Sequence, residues 1–259
     1  MTVARVQLGL PQAIRLLFVL VALGLWYVSQ MLIGNRTFDE AGIGDAIHGW
    51  LSPLHALLRD HPQAADGLLI ASSFGIDMFG LFLFLSAIFG STIRPFLGLV
   101  VLFSLRQLCQ ALTALPPPDG MMWRDPGVPS LLVTYGVSND LFFSGHTAIA
   151  VYGAIELQRR MGWHWLSMAG SLLALFEVGA VLALRAHYTM DVFTGAVTAG
   201  LVSIFAAKLA PMCDDGLARL GRSVSRRPHS PSKSVIDQSS NIPVSMTNQN
   251  RTSFFRTRS

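Results

Sequence analysis

Six long stretches of this sequence are apolar enough to cross a membrane as helices. A membrane-spanning helix needs about 20 mostly apolar residues. In each stretch charge is absent or isolated, and only 13% of all residues are charged, compared with about 25% in soluble domains. The chain is therefore predicted to lie in a lipid bilayer. The predicted spans are residues 16–33, 68–90, 95–115, 141–158, 163–184 and 190–210.

These spans predict an all-α fold, a six-helix transmembrane bundle that occupies residues 1–213. From residue 214 onward the composition changes to Ser, Arg, Asn and Pro. Such a segment has too little apolar surface to offset the entropy of ordering it. We therefore expect residues 214–259 to form a disordered, basic, cytoplasmic tail.

Lysine and arginine are concentrated on one side of the predicted bundle. These residues accumulate in the cytoplasmic loops of membrane proteins, so we expect both termini in the cytoplasm. The longer loops, 34–66 and 116–140, then face the lumen or periplasm, and either an endoplasmic reticulum or Golgi membrane or a bacterial inner membrane is compatible. The net charge of +4 is explained by this topology, and nucleic-acid binding is not indicated. The basic residues are Arg5, Arg15, Arg94, Arg159, Arg160, Lys208, Arg219, Arg222, Arg226 and Arg227.

Five ionisable residues from different segments are predicted to converge on the non-cytoplasmic side. Arg106 lies in the outer half of the third span, and His146 opens the fourth. Arg185 closes the fifth span, while His187 and Asp191 open the sixth. Ionisable groups within spans usually line a site or reach toward the interface. Their convergence favours one functional site.

Each local feature also has an ordinary structural explanation. Ser144, at the head of a Ser-Gly-His-Thr motif, would serve as a helix cap by accepting a backbone N–H. His187 and Asp191 stand four residues apart, which places them on one helix face, where such pairs are often only electrostatic. The meeting of both motifs at one membrane face is what favours the functional explanation.

The residue types suit phosphoryl transfer through a phosphohistidine. Asp191 would fix the tautomer of His187 and leave its other ring nitrogen free to attack phosphorus. His146 would protonate the departing alkoxide and later deprotonate the acceptor. The predicted catalytic residues are therefore His146, His187 and Asp191.

Phosphate oxygens need positive partners beside these catalytic residues. Arg106 and Arg185 would supply charged donors. Ser144 and Gly145 would supply the backbone N–H groups and positive dipole end of the fourth helix. No step in this chemistry requires a metal or another cofactor.

The same motifs resemble those of the type 2 phosphatidic acid phosphatase superfamily. The resemblance is closer to its branch of sphingomyelin synthases and plant phosphatidylcholine:diacylglycerol cholinephosphotransferases, through residues 106–118, 141–147 and 185–191. It covers roughly residues 15–210. It implies a six-helix membrane enzyme with two histidines and one aspartate in the roles given above.

The phosphatase pattern of that superfamily fits less well. Phe143 replaces its proline and Val181 its arginine, while Arg94, in the Arg-Pro pair of a span, has Ala87 where a lysine is expected. A phosphomonoester carries a charge of about −2, and a phosphodiester carries one charge fewer, so fewer cations suit the diester. This difference in charge therefore favours a phosphodiester, and the resemblance implies transfer of a phosphoalcohol headgroup, most simply phosphocholine, from phosphatidylcholine to diacylglycerol or ceramide. Hydrolysis of a lipid phosphate is the alternative.

A transporter or scaffold is a third, non-enzymatic interpretation. It would depend on Asp77 and Glu177, which lie near the middle of two spans and could pair, assist the site or mark a polar path. Outside the spans, apolar residues recur at helical spacing from residue 43 to 58 and predict an amphipathic helix interrupted at Pro53. We expect His48, His55 and His61 to be surface residues there.

Overall fold

A computed structural model describes residues 9–34, 43–135, 141–161 and 164–225 of the chain. Within these ranges the protein is all-α and contains no β-strand, as predicted. The helices are α1 (Leu10–Gly34), α2 (Ala46–Trp50), α3 (Ser52–Asp60), α4 (Pro62–Phe89), α5 (Arg94–Leu112), α6 (Gly145–Met161), α7 (His164–Ala183) and α8 (Thr189–Ser225).

Six of these helices follow the order of the six predicted spans. Helices α1, α4, α5, α7 and α8 are long and apolar enough to cross a membrane. Helix α6 has 17 residues, or roughly 25 Å at 1.5 Å per residue, and it carries polar and charged groups. It packs against α4, α5, α7 and α8, so its neighbours rather than its own hydropathy account for its central position.

The predicted amphipathic segment forms the two short helices α2 and α3, which break at Leu51 just before Pro53. Trp50 is 77% exposed, whereas His48 and His55 are buried. The expectation that these two histidines are surface residues was wrong, because their rings form hydrogen bonds with backbone carbonyls at the end of α7 and in the turn that follows it. His61 is exposed, as expected.

Several arginines predicted to share one side of the membrane lie together at one end of the bundle. Arg15 Nη1 donates to the carbonyl of Gly90 at 3.0 Å, and Arg160 Nη1 donates to the carbonyl of Ser86 at 3.3 Å. Arg94 and Arg159 flank the buried Glu156 at 3.0 Å each. We call this the basic end. Its cytoplasmic orientation remains a prediction from the charge distribution.

Helix α8 continues past the boundary predicted at residue 213. Asp214 Oδ1 accepts a hydrogen bond of 2.8 Å from the backbone N–H of Ile93, just before α5. Cys213 and Leu217 pack against the apolar core. The predicted boundary was therefore too early, since this last part of α8 is held by the bundle. Residues 226–259, the rest of the predicted tail, lie outside the described residues.

The two mid-span carboxylates bind different elements. Asp77, on α4, accepts hydrogen bonds of 2.8 and 2.9 Å from the backbone N–H groups of Leu131 and Leu132, and others from the hydroxyl of Ser130. It therefore holds the segment after α5 against α4. Glu177, on α7, accepts a 2.6 Å hydrogen bond from the Ser72 hydroxyl. Both contacts stabilise the packing around α4.

Candidate active site

Both histidine motifs open onto one small cavity, about 40 Å³ in volume, at the end of the bundle opposite the basic end. Arg106, Gly145, His146 and His187 all line it. The segment between α5 and α6 covers it, with Trp123 among the lining residues. The structure thus brings together four residues that the sequence placed in three different spans.

His187 and Asp191 face each other across the start of α8. The distance from His187 Nδ1 to Asp191 Oδ2 is 3.8 Å, and both side chains are buried. This distance exceeds that of a hydrogen bond, and such contacts often tighten only when substrate binds. The same Asp191 oxygen accepts a 2.9 Å hydrogen bond from the backbone N–H of Tyr188. The carboxylate is thereby fixed beside one ring nitrogen of the histidine.

The turn that carries His187 is held from outside by helix α2. His48 Nε2 forms a 2.9 Å hydrogen bond with the carbonyl of His187. Asp45, which caps α2, accepts hydrogen bonds of 2.6 and 2.7 Å from the backbone N–H and hydroxyl of Thr189. Burial opposes ionisation of Asp45, but these bonds, with those at the start of α2, hold the pKa of its carboxyl below the usual value.

Sequence reasoning missed this clamp, although one signal for it was present. His48, Ser52 and His55 are spaced at i, i+4 and i+7 and therefore share one face of a helix. In the structure His55 Nδ1 forms a 3.0 Å hydrogen bond with the carbonyl of Ala183, and Ser52 accepts one from Arg185. A polar stripe on an otherwise apolar helix indicates a partner with polar backbone groups.

His146 lies in the first turn of α6, with the Trp123 ring edge-on at a centroid distance of 5.0 Å. Among the described residues, its buried Nε2 has no hydrogen-bond partner. Ser144 caps this helix, because its hydroxyl accepts a 3.3 Å hydrogen bond from the backbone N–H of Thr147. Ser144 is fully buried and does not line the cavity. This hydrogen bond is the helix cap that provides the ordinary structural explanation for Ser144.

Arg106 is buried beside the start of α6. Its Nε donates a 2.9 Å hydrogen bond to the carbonyl of Phe143. A Cβ atom added at Gly145 would lie 3.1 Å from that nitrogen, so glycine leaves the space in which the guanidinium packs. A guanidinium beside a helix N-terminus is a favourable place for an anion.

Arg185, like Ser144, does not line the cavity with Arg106 and Gly145. Its guanidinium donates to the carbonyl of Asp119 at 2.7 Å and to the hydroxyl of Ser52 at 3.3 Å. It also reaches the carbonyl of His48 at 3.5 Å. These contacts differ from the predicted phosphate-binding role. The guanidinium N–H groups bind the segment between α5 and α6 and the α2–α3 segment instead of pointing into the cavity.

One known protein family matches most of the helical bundle. The sequence model of the AtPDCT1/2 family matches residues 46–208, a range that covers more than half of the chain and includes Arg106, His146, His187 and Asp191. No curated protein matches the chain. The chain thus belongs to the AtPDCT1/2 family, the family of phosphatidylcholine:diacylglycerol cholinephosphotransferases.

Proposed function

We propose that this protein transfers phosphocholine from phosphatidylcholine to diacylglycerol through a covalent phosphohistidine at His187. The observation that carries the proposal is the shared cavity of His146, His187 and Arg106, with Asp191 3.8 Å from His187. The family supports diacylglycerol, rather than ceramide, as the acceptor.

In the first half-reaction, His187 Nε2 attacks the phosphorus of phosphatidylcholine. The new P–N bond forms as the bond from phosphorus to the diacylglycerol oxygen breaks. His146 donates a proton to that oxygen, so diacylglycerol leaves as the neutral alcohol. Asp191 stands beside His187 Nδ1, where a carboxylate stabilises the positive charge that develops on the ring.

The second half-reaction reverses these bonds with a different diacylglycerol. His146 is now neutral and removes the proton from the incoming hydroxyl, whose oxygen attacks phosphorus as the P–N bond breaks. The products are a new phosphatidylcholine and free His187, and both histidines return to their starting protonation states. The phosphocholine group passes between glycerol backbones without net consumption of water or of a cofactor.

Arg106 is the cation best placed to stabilise the phosphate in both half-reactions. It lines the cavity together with Gly145, in the first turn of α6, so its charge and the helix dipole act on the same anion. We assign Arg185 a positioning role instead, since it ties α2 and the covering loop to the turn before His187. A phosphodiester carries one negative charge, which one arginine and a helix N-terminus can balance.

The activity is tested by incubating the purified protein, in nanodiscs, with phosphatidylcholine labelled in its choline and a diacylglycerol of different acyl mass. We expect labelled phosphatidylcholine that carries the acyl chains of the added diacylglycerol. His187→Ala should abolish it, whereas His164→Ala, an exposed histidine at the opposite end of α7 from Arg185, should not. Release of phosphate from phosphatidic acid, without lipid-to-lipid transfer, would instead establish a phosphatase.

A further inference from the structure

A second, larger cavity lies beside the catalytic cavity, between helices α1 and α5. Its volume is about 320 Å³, and its walls are mainly apolar, with Leu23 on α1 and Phe96 and Leu99 on α5 among them. It is open on one side, where Leu25 is 68% exposed. In a bilayer this side faces the hydrocarbon of the surrounding lipids. We call this cavity the α1–α5 groove.

The α1–α5 groove adjoins the catalytic cavity and shares part of its wall. Trp26, Phe103 and Leu132 line both. The Trp26 and Phe103 rings meet edge to face, with their centroids 5.7 Å apart. A molecule held in the groove would therefore have one end beside the rings that border Arg106 and His146.

The direction of the groove matches that of a lipid chain. Along α5 its lining extends from Phe96, near the basic end, to Gln107, near the site. These positions are roughly 16 Å apart at 1.5 Å per residue. That is about half of the 30 Å hydrocarbon core, the thickness of one leaflet. A chain in the groove would extend from the site past the middle of α5 toward the basic end, while its headgroup remained at the site.

The groove becomes polar at the end nearest the catalytic cavity, where the ester groups of a bound lipid would lie. Gln107 Nε2 donates a 3.0 Å hydrogen bond to Gln30 Oε1. Gln30 Nε2 in turn reaches the hydroxyl of Thr134 at 3.4 Å. This row links α5, α1 and the covering segment at the site end of the groove, while the remainder of the lining is apolar apart from Ser29 and Ser104.

We infer that the α1–α5 groove binds one acyl chain of the lipid whose headgroup reacts at His187. The inference rests on the proposed function and adds the route by which a lipid reaches the site, laterally from the bilayer between α1 and α5. Burial of methylene groups in the groove would then contribute to the binding of long-chain lipids. In the first half-reaction this lipid is the donor phosphatidylcholine, which alone carries the headgroup when it enters.

Substitution of groove residues by tryptophan tests this inference. Val100→Trp on α5 and Ala22→Trp on α1 place a large ring in the groove. Leu105→Trp and Leu20→Trp are the matched controls, since both residues are exposed on the same helices and line neither cavity. We expect the groove variants to lower kcat/KM for dipalmitoyl lipids about tenfold or more, and for dihexanoyl lipids less than about twofold.

Donor and acceptor are separated by shortening the chains of one lipid while the other remains dipalmitoyl. Relief of the defect by a short-chain donor is the expected result, whereas relief only by a short-chain acceptor would overturn the donor as the occupant. If the groove variants and their controls have the same chain-length dependence, the inference is overturned.

A second measurement does not depend on turnover. Phosphatidylcholine and diacylglycerol with a photoreactive diazirine in one acyl chain are incorporated into nanodiscs with the unmutated protein, and the labelled residues are mapped by mass spectrometry. We expect labelling to concentrate on residues 22–29 and 96–107, and to decrease there in Val100→Trp. Uniform labelling of all lipid-facing helices would overturn the inference, whether or not transfer is observed. Groove labelling without transfer would retain the lipid site and reject only the proposed reaction.

Discussion

The backbone N–H of Ser144 donates a 3.1 Å hydrogen bond to the carbonyl of Asp191. This bond joins the residue that caps α6 to the carboxylate-bearing residue in the first turn of α8. Gly195 brings the two helices together at the same level, since a Cβ atom there would lie 2.7 Å from the carbonyl oxygen of Ser144. The relative positions of His146 and His187 therefore depend on close backbone packing.

Gly195→Ala should disturb this packing and lower the transfer rate about tenfold or more, because the methyl group must displace α6 or α8. Gly200→Ala is the matched control on the same helix, since a Cβ atom there meets nothing within 4 Å. It should stabilise α8 by up to about 1 kcal/mol without loss of activity. Transfer assays and thermal unfolding of both variants are the measurements. Equal activity in the two would show that the site tolerates a shift of α8.

Asp191→Asn should leave the fold intact and slow formation of the phosphoenzyme. The equivalent carboxylate-to-amide change in a serine protease triad costs about 10⁴ in rate, and we expect a loss of up to that order here. Rapid quenching with labelled phosphatidylcholine, followed by detection of the acid-labile phosphohistidine, measures this step directly. A phosphoenzyme that still formed in His187→Ala would assign the nucleophile to another residue.

Arg106 and Arg185 should respond differently to substitution by glutamine. Arg106→Gln removes the cation that lines the catalytic cavity, so kcat/KM should decrease about 100-fold or more. Arg185→Gln removes hydrogen bonds to Asp119 and Ser52, so the main effect should be a lower temperature of unfolding. Kinetics at a temperature where both variants remain folded separate the two effects. A loss of kcat/KM in Arg185→Gln as large as that in Arg106→Gln would return Arg185 to the phosphate-binding set.

Asp45 should make the clamp on α8 sensitive to acid. The hydrogen bonds that it accepts hold the pKa of its carboxyl in the folded protein below the ordinary value of about 3.9. Its stabilising effect is therefore fully present above that value and is lost as the pH falls through the lower, folded pKa. At neutral pH, Asp45→Asn should cost about 1–2 kcal/mol of stability, because the amide loses the charge and one of the two acceptor oxygens. The difference from the unmutated protein should decrease as the pH falls below about 4 and disappear only below the lowered pKa of the folded protein, as measured by thermal unfolding over a pH series. A difference that persisted at the lowest pH would mean that the carboxylate charge is not the stabilising feature.

The predicted orientation places the catalytic cavity on the non-cytoplasmic side. In a protein with Cys109 and Cys213 replaced by serine, cysteine introduced at Val128 should react with an impermeant reagent added to intact cells. Cysteine introduced at His164, an exposed residue at the start of α7, should react only after permeabilisation. The reverse pattern would invert the topology and place the site in the cytoplasm.

The parts of the fold that sequence predicted are those with a local signal. Five spans are apolar over a whole helix length, and His187 and Asp191 share one face by their spacing alone. Helix α6 is shorter and more polar, so its motif and its place in the order of spans indicated it better than hydropathy did.

The parts that sequence did not predict depend on contacts between distant positions. His48 reaches the carbonyl of His187 across 139 positions, and Asp45 reaches Thr189 across 144. The partners of Arg185 lie in the segment between α5 and α6 and in the α2–α3 segment. From sequence alone, a charged side chain near a predicted site could bind the substrate or hold neighbouring segments together. Only its contacts in the structure distinguish these two roles.

The α2–α3 segment has an exposed apolar face and a second face that contacts the backbone at His187. A force on the first face would therefore be transmitted to the second. Trp50 and Leu57 are exposed apolar side chains that would lie in the lipid interface, while His48 on the same segment bonds the backbone of His187. Helix α2 would then lie between the lipid interface and the turn that carries His187. Lateral pressure and curvature in that leaflet would therefore act, through α2, on the position of His187.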